Sequence, residues 1–130
     1  MAVVTFVDET TGGARTDGWG IEIAEERVTL RELIRRRIFQ EVAEFNAAGL
    51  TDFRGLVQPR DATRTLNGYR VGWSRRIDPE LQFALAVRAF GRNGFVVLVG
   101  DHQPLDLDEQ IDLVVDTEVT FLKLIPLVGG

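Results

Sequence analysis

Val119-Thr120-Phe121-Leu122-Lys123-Leu124-Ile125 is a run of apolar and β-branched residues carrying one charge, and it is followed at once by Pro126. Such a run predicts a strand, and Pro126 ends it because proline has no N–H to give to a ladder. Just upstream, Asp116-Thr117 has the chemistry of a turn. Further back, Leu105, Leu107, Ile111 and Leu113 occupy odd positions with acids and glutamine between them, which predicts a half-exposed acidic strand or strand pair. Phe95-Val96-Val97-Leu98-Val99 is a continuous apolar run bounded by glycines, the pattern of a strand covered on both faces. The last third of the chain therefore reads as β.

The front of the chain supplies the other half of the fold. Val3–Val7 predicts a first strand, Asp8–Gly18 a polar glycine-containing loop, and Gly20–Glu25, which alternates with period two, the return strand of a hairpin. Thr29-Leu30-Arg31-Glu32 fits a capping box, in which the Thr hydroxyl accepts from the third helical N–H and Glu32 reaches back. Leu30, Leu33, Ile34, Ile38, Val42 and Phe45 then recur at three- and four-residue steps, so a helix is predicted over Leu30–Ala48, closed by Gly49. Leu66-Asn67-Gly68-Tyr69 is a hairpin signal, with Tyr69, Val71 and Trp73 alternating after it. Asp78-Pro79 opens a second helix, Glu80–Phe90, that is apolar nearly all round and is expected to be buried in the domain or against a partner. Two hairpin strands, a long helix, a helical insert and further strands make an α+β protein with helices packed on one mixed sheet.

A chain of 130 residues, 45% apolar, 27% charged and without cysteine, reads as a single domain over 1–130 that needs no disulfide or structural zinc. No apolar run reaches the ~18 residues that cross a bilayer, and no leader pattern opens the chain, so a cytoplasmic protein with no membrane partner is expected. The net charge of −5 is uneven. Residues 1–30 sum to −4, residues 31–92 to +5 and residues 93–130 to −6. An acidic total argues against nucleic acid as the main partner. Lys123 is the only lysine beside fourteen arginines.

The order strand, strand, helix, strands is similar to the β-grasp fold of ubiquitin-like proteins. Phe95-Val-Val-Leu-Val-Gly-Asp, Ile111-Asp-Leu and Asp116-Thr-Glu-Val-Thr-Phe-Leu-Lys-Leu-Ile-Pro-Leu-Val-Gly-Gly130 resemble the C-terminal half of bacterial sulfur carriers, namely the thiamine-pathway carrier and the small subunit of molybdopterin synthase. Those families are usually shorter, so about 50–94 stands as an insertion into the β-grasp pattern, and Asp116-Thr117 stands where sulfur carriers commonly have Gly-Asp. The resemblance implies that Gly129 and Gly130 are the activated end and that Pro126, Leu127 and Val128 contact a ubiquitin-activating-type enzyme. Residues without a Cβ suit a narrow channel, and the tail from Pro126 reaches about 16 Å at ~3.3 Å per residue. It implies no catalytic residue and no bound cofactor in this chain. The partner enzyme consumes ATP and Mg²⁺ to adenylate Gly130, which passes to a sulfur acceptor or a target protein.

Other constellations point to less. His102 and Ser74 are each the sole residue of their type and lie on different predicted elements, with no nucleophile elbow or metal spacing around them. An EF-hand loop from Asp106 would require glycine at Ile111 and glutamate at Thr117, so no metal site is expected and the acids read as a solvated face. The paired glycines near residues 12 and 18 match neither a dinucleotide fingerprint nor a phosphate-binding loop. Arg35, Arg36 and Arg37 read as an exposed helix face, and with Tyr69 and Trp73 they form the candidate partner surface. The alternative function is a β-grasp interaction module in which the insertion, through its apolar helix Glu80–Phe90 and its arginines, binds a protein and the tail is inert. Phe53-Arg54-Gly55-Leu56-Val57-Gln58-Pro59 is a distinctive segment that sequence reasoning leaves without a role.

Overall fold

A computed structural model describes residues 2–16, 18–48, 52–59, 63–65, 68–70, 76–114 and 116–124. The elements in chain order are β1 (Ala2–Thr10), β2 (Trp19–Ile23), β3 (Arg27–Thr29), α1 (Leu30–Ala48), β4 (Asp52–Phe53), β5 (Thr63–Thr65), β6 (Gly68–Arg70), α2 (Pro79–Gly91), β7 (Phe95–Val99), β8 (Gln110–Asp112) and β9 (Glu118–Lys123). The protein is α+β with a mixed four-stranded sheet. It divides into two compact units, one of Met1–Leu33 with Phe90–Gly130 and the other of Ile34–Ala89. Charge divides with them. The first unit holds fourteen acidic and five basic side chains, a net of −9, and the second six and ten, a net of +4.

In the first unit the sheet order is β2-β1-β9-β7. β1 and β2 form the expected antiparallel hairpin, with Phe6 opposite Trp19 and Ala2 opposite Ile23. β9 runs parallel to β1 from Thr5↔Glu118 to Thr10↔Lys123, and antiparallel to β7 from Phe95↔Lys123 to Val99↔Val119. One face of the sheet is core: Val4, Phe6, Ile23, Phe95, Val97, Val119 and Phe121 are all buried. Phe6 meets Trp19 and Phe121 edge-on at centroid distances of 5.9 and 5.4 Å, contacts worth ~1 kcal/mol each beyond the area they bury. β7 corrects one expectation. It is the edge of the sheet and only Phe95 and Val97 are fully buried, while Val96, Leu98 and Val99 are half-buried. Its apolar run is buried on the face that carries Phe95 and Val97, and the alternate positions Val96 and Leu98 on the other face are only partly covered.

The entry to α1 is held by backbone and side chain together. Thr29 Oγ1 accepts the Glu32 N–H at 3.1 Å, and the amides of Leu30 and Arg31 donate to the carbonyls of Glu109 and Leu107 at 3.0 and 2.9 Å. Three of the donors that a helix start leaves open are thereby satisfied. β3 pairs with β8 in a second small sheet, with Val28 opposite Ile111, both buried, and an ion pair from Arg27 Nε to Asp112 at 2.7 Å beside them. The turn before β9 is built as its residues suggest: Asp116 takes a φ of 64°, while Thr117 Oγ1 donates to the Val114 carbonyl at 2.7 Å and accepts the Val114 N–H at 3.0 Å.

In the second unit β4, β6 and β5 form a three-stranded antiparallel sheet in the order β4-β6-β5. The expected hairpin is present as β5–β6, with Thr65 opposite Gly68. Its turn residues, and the continuation through Val71 and Trp73, lie outside the described residues. The apolar stripe of α1 is buried along its whole length, and Ile34, Ile38, Val42 and Phe45 share this unit with buried Phe53, Leu56, Val57 and Ile77. α2 starts as predicted, with Asp78 Oδ1 accepting the Glu80 N–H at 3.0 Å. It is not buried all round. Only Gln82 and Ala86 are fully covered, and Leu81 is 40% exposed, because the helix meets the core along one edge at an i, i+4 spacing.

Candidate functional site

β9 leads to the residues expected to act. It is a central strand between β1 and β7, and its end is tied on both sides: Thr11 N–H donates to the Lys123 carbonyl at 3.1 Å and Leu124 N–H to the Gly94 carbonyl at 3.2 Å. At its start, the Arg15 guanidinium bridges Glu9 of β1 and Glu118 of β9, the latter at 2.7 Å. The hydrogen bond that Arg15 donates to Glu118 is the main reason that the Arg15 pKa is raised still further. The strand therefore stops at a fixed point, Lys123, and the next residue, Leu124, is 37% exposed. Pro126, Leu127, Val128, Gly129 and Gly130 follow in the sequence and lie outside the described residues.

The three consecutive arginines of α1 separate into different environments, since successive helical positions are about 100° apart. Arg35 lies over the Phe39 ring at 4.3 Å and the Phe83 ring at 5.4 Å, and its fork meets Glu80 at 2.8 and 3.3 Å. That hydrogen bond holds the Glu80 carboxyl below the ordinary carboxylate range. Arg36 is half-buried. Arg37 corrects the expectation of an exposed face: it is 1% exposed, and its Nε donates to Glu41 Oε2 at 2.8 Å. A guanidinium so covered is part of the interior and cannot meet a partner. Tyr69 belongs to β6, and Trp73 lies outside the described residues. Of the proposed partner surface, the described residues thus remove Arg37 and leave Arg35 and Arg36 on the outer side of α1.

The segment Phe53–Pro59 now has a role. Glu41 accepts the Leu56 N–H at 3.2 Å, and Gln82 Nε2 donates to the Val57 carbonyl at 2.8 Å. Phe53 meets Phe45 edge-on at 5.3 Å, and a Cβ at Gly55 would collide with the Phe53 ring and come within 2.9 Å of Glu41 Oε1. The segment is a plug whose backbone is held by side chains of two helices. A sequence signal was available: Arg37 and Glu41 lie four apart, flanked by Ile34, Ile38 and Val42 of the buried stripe.

The same unit has an open cleft of about 420 Å³ lined by Phe39, Val42, Ala43, Asn46, Arg76 and Ile77. The Asn46 amide is occupied by the Ile77 backbone, donating to its carbonyl at 3.0 Å and accepting its N–H at 2.9 Å. His102 pairs with Glu109 at an exposed position. Among the described residues no group of three or more His, Asp or Glu side chains is arranged to hold a metal ion, and no helix is long and apolar enough to cross a membrane. Comparison with family models, with curated proteins and with solved structures finds no match to this chain.

Proposed function

We propose that this chain is a β-grasp protein of the ubiquitin-like or sulfur-carrier type, acting in the cytoplasm through the carboxylate of Gly130. The observation that carries the reading is β9, a central strand parallel to β1 and held at its end, after which the sequence runs Ile125-Pro126-Leu127-Val128-Gly129-Gly130. A first and last strand paired in parallel at the centre of a mixed sheet, each with an antiparallel neighbour outside it, is the arrangement a β-grasp sheet calls for. A tail leaving a rigid central strand has a fixed origin, so a partner gripping the domain holds the tail's end near one place.

In this reading the chain supplies the reacting group and a ubiquitin-activating-type enzyme supplies the catalysis. The Gly130 carboxylate attacks the α-phosphate of Mg²⁺-bound ATP, pyrophosphate leaves, and the acyl adenylate then transfers its acyl group to sulfur or to an amine with release of AMP. Intact mass of the protein after incubation with ATP, Mg²⁺ and candidate adenylating enzymes tests it. An adenylate, thiocarboxylate or conjugate mapped to Gly130, absent in a chain extended by one residue, is the expected result; an unchanged mass throughout overturns it. The alternative, a module that binds through its insertion and leaves the tail inert, draws on the exposed outer face of α2.

A further inference from the structure

α2 has an inner edge and an outer face, and the outer face has a composition that fits a copy of itself. Gln82 and Ala86 are the fully buried positions. At 100° per residue, the direction opposite to them is Ala84, flanked by Glu80, Leu81 and Arg88, and all four are exposed. Val87, half-buried, borders them. The centre of this face is apolar and low in relief, because alanine at 84 allows another helix to come close. Its ends carry opposite charges, Glu80 in the first turn and Arg88 in the last. Arg88 makes no ion pair or hydrogen bond among the described residues, whereas Glu80 is shared with Arg35.

Glu80 and Arg88 lie at equal distances on either side of Ala84. We infer that the outer face of α2 is a self-association surface, on which two copies pack antiparallel about a two-fold axis through Ala84. Ala84 then faces the partner's Ala84, Leu81 packs on the stem of the partner's Arg88 and Glu80 beside the partner's Val87, and each Glu80 carboxylate lies level with the partner's Arg88 guanidinium diagonally across the seam. A parallel pair would bring Glu80 against Glu80 and Arg88 against Arg88, so charge selects the antiparallel arrangement. A two-fold contact closes on itself and yields a dimer, not a filament. Two helices of 13 residues cover less than the ~800 Å² per partner of a standard interface, so the dimer forms at high concentration. It accounts for an apolar helix left half-uncovered within one chain, and it does not depend on Gly130.

Sedimentation velocity of the full chain over about 10 μM to 1 mM tests the inference, a range that brackets weak association. The expected result is a shift from monomer to dimer with concentration, abolished by Ala84→Glu and weakened at least tenfold by Arg88→Glu. Arg88→Glu and Glu80→Arg copies should each resist self-association, yet mixing them should restore a dimer, since every facing pair is then of opposite sign. Circular dichroism of each variant confirms that the helices remain. A wild type that stays monomeric to 1 mM overturns the inference. So does a dimer indifferent to Ala84→Glu, or a mixture of the two charge variants that fails to associate.

Discussion

Arg37 and Glu41, one turn apart on α1, form an ion pair inside the second unit, and the same carboxylate receives the Leu56 N–H from the segment after β4. Arg37 is 1% exposed and the Glu41 side chain 11%, so both charges are largely withdrawn from water and their mutual contact offsets part of that cost. Removing one partner of such a pair typically costs ~3–5 kcal/mol, whereas replacing both by apolar side chains of similar size is often neutral. Glu41→Ala is therefore expected to lower unfolding stability by about 3 kcal/mol or more, and Arg37→Met with Glu41→Leu to recover most of the loss. Urea denaturation of the single and double variants reads both, and equal losses in the two would contradict the argument.

Gly55 sits where a side chain has no room. A Cβ there meets the Phe53 ring and approaches Glu41, both of them packed, so Gly55→Ala should cost about 2 kcal/mol or more. At the end of α2, Gly91 has nothing within 4 Å of where a Cβ would be, and Gly91→Ala should stabilise by up to ~1 kcal/mol. Thermal melts of the two variants should move in opposite directions.

Asp116 holds a φ of 64° before β9, a conformation that glycine adopts without the strain of a Cβ. Asp116→Gly is expected to stabilise by up to ~1 kcal/mol. Thr117→Val removes the hydroxyl that both donates to and accepts from Val114, and should destabilise by ~1–2 kcal/mol. Chemical denaturation decides each. A loss on Asp116→Gly would mean that the aspartate side chain contributes more than the backbone strain removes.

The fork from Arg35 lowers the Glu80 carboxyl, so below the ordinary carboxylate range the unfolded chain binds a proton that the folded chain resists. Stability from this contact is present above the unfolded pKa and is lost as pH falls through the depressed folded value. Arg35→Met should accordingly flatten the acid limb of stability between about pH 5 and pH 3, where carboxylates titrate. Thermal melts of wild type and variant across that window check it, and the effect should shrink in salt because both groups are solvated.

The elements most visible in the sequence are those that local chemistry closes. Thr29 and Glu32 mark the start of α1, the buried stripe from Leu30 to Phe45 marks its inner side, and the observed helix runs Leu30–Ala48 as those residues predict. The β1–β2 hairpin, the turn at Asp116 and the last strand are legible for the same reason. β3 was not, because three residues acquire strand character only by meeting β8 more than eighty positions away. Arg37 was legible only in part: Glu41 four residues on and the flanking Ile34, Ile38 and Val42 are compatible with its burial, but only the segment after β4 closing over the pair decides it.

What periodicity, caps and turns settle, then, is which residues form helix or strand, since those choices depend on neighbours a few positions away. The parallel pairing of β1 with β9, the edge position of β7, the plug at Phe53–Pro59 and the uncovered face of α2 depend on which distant segments meet. Those meetings follow from burying apolar area and satisfying polar groups over the whole chain at once, and no local window contains that information.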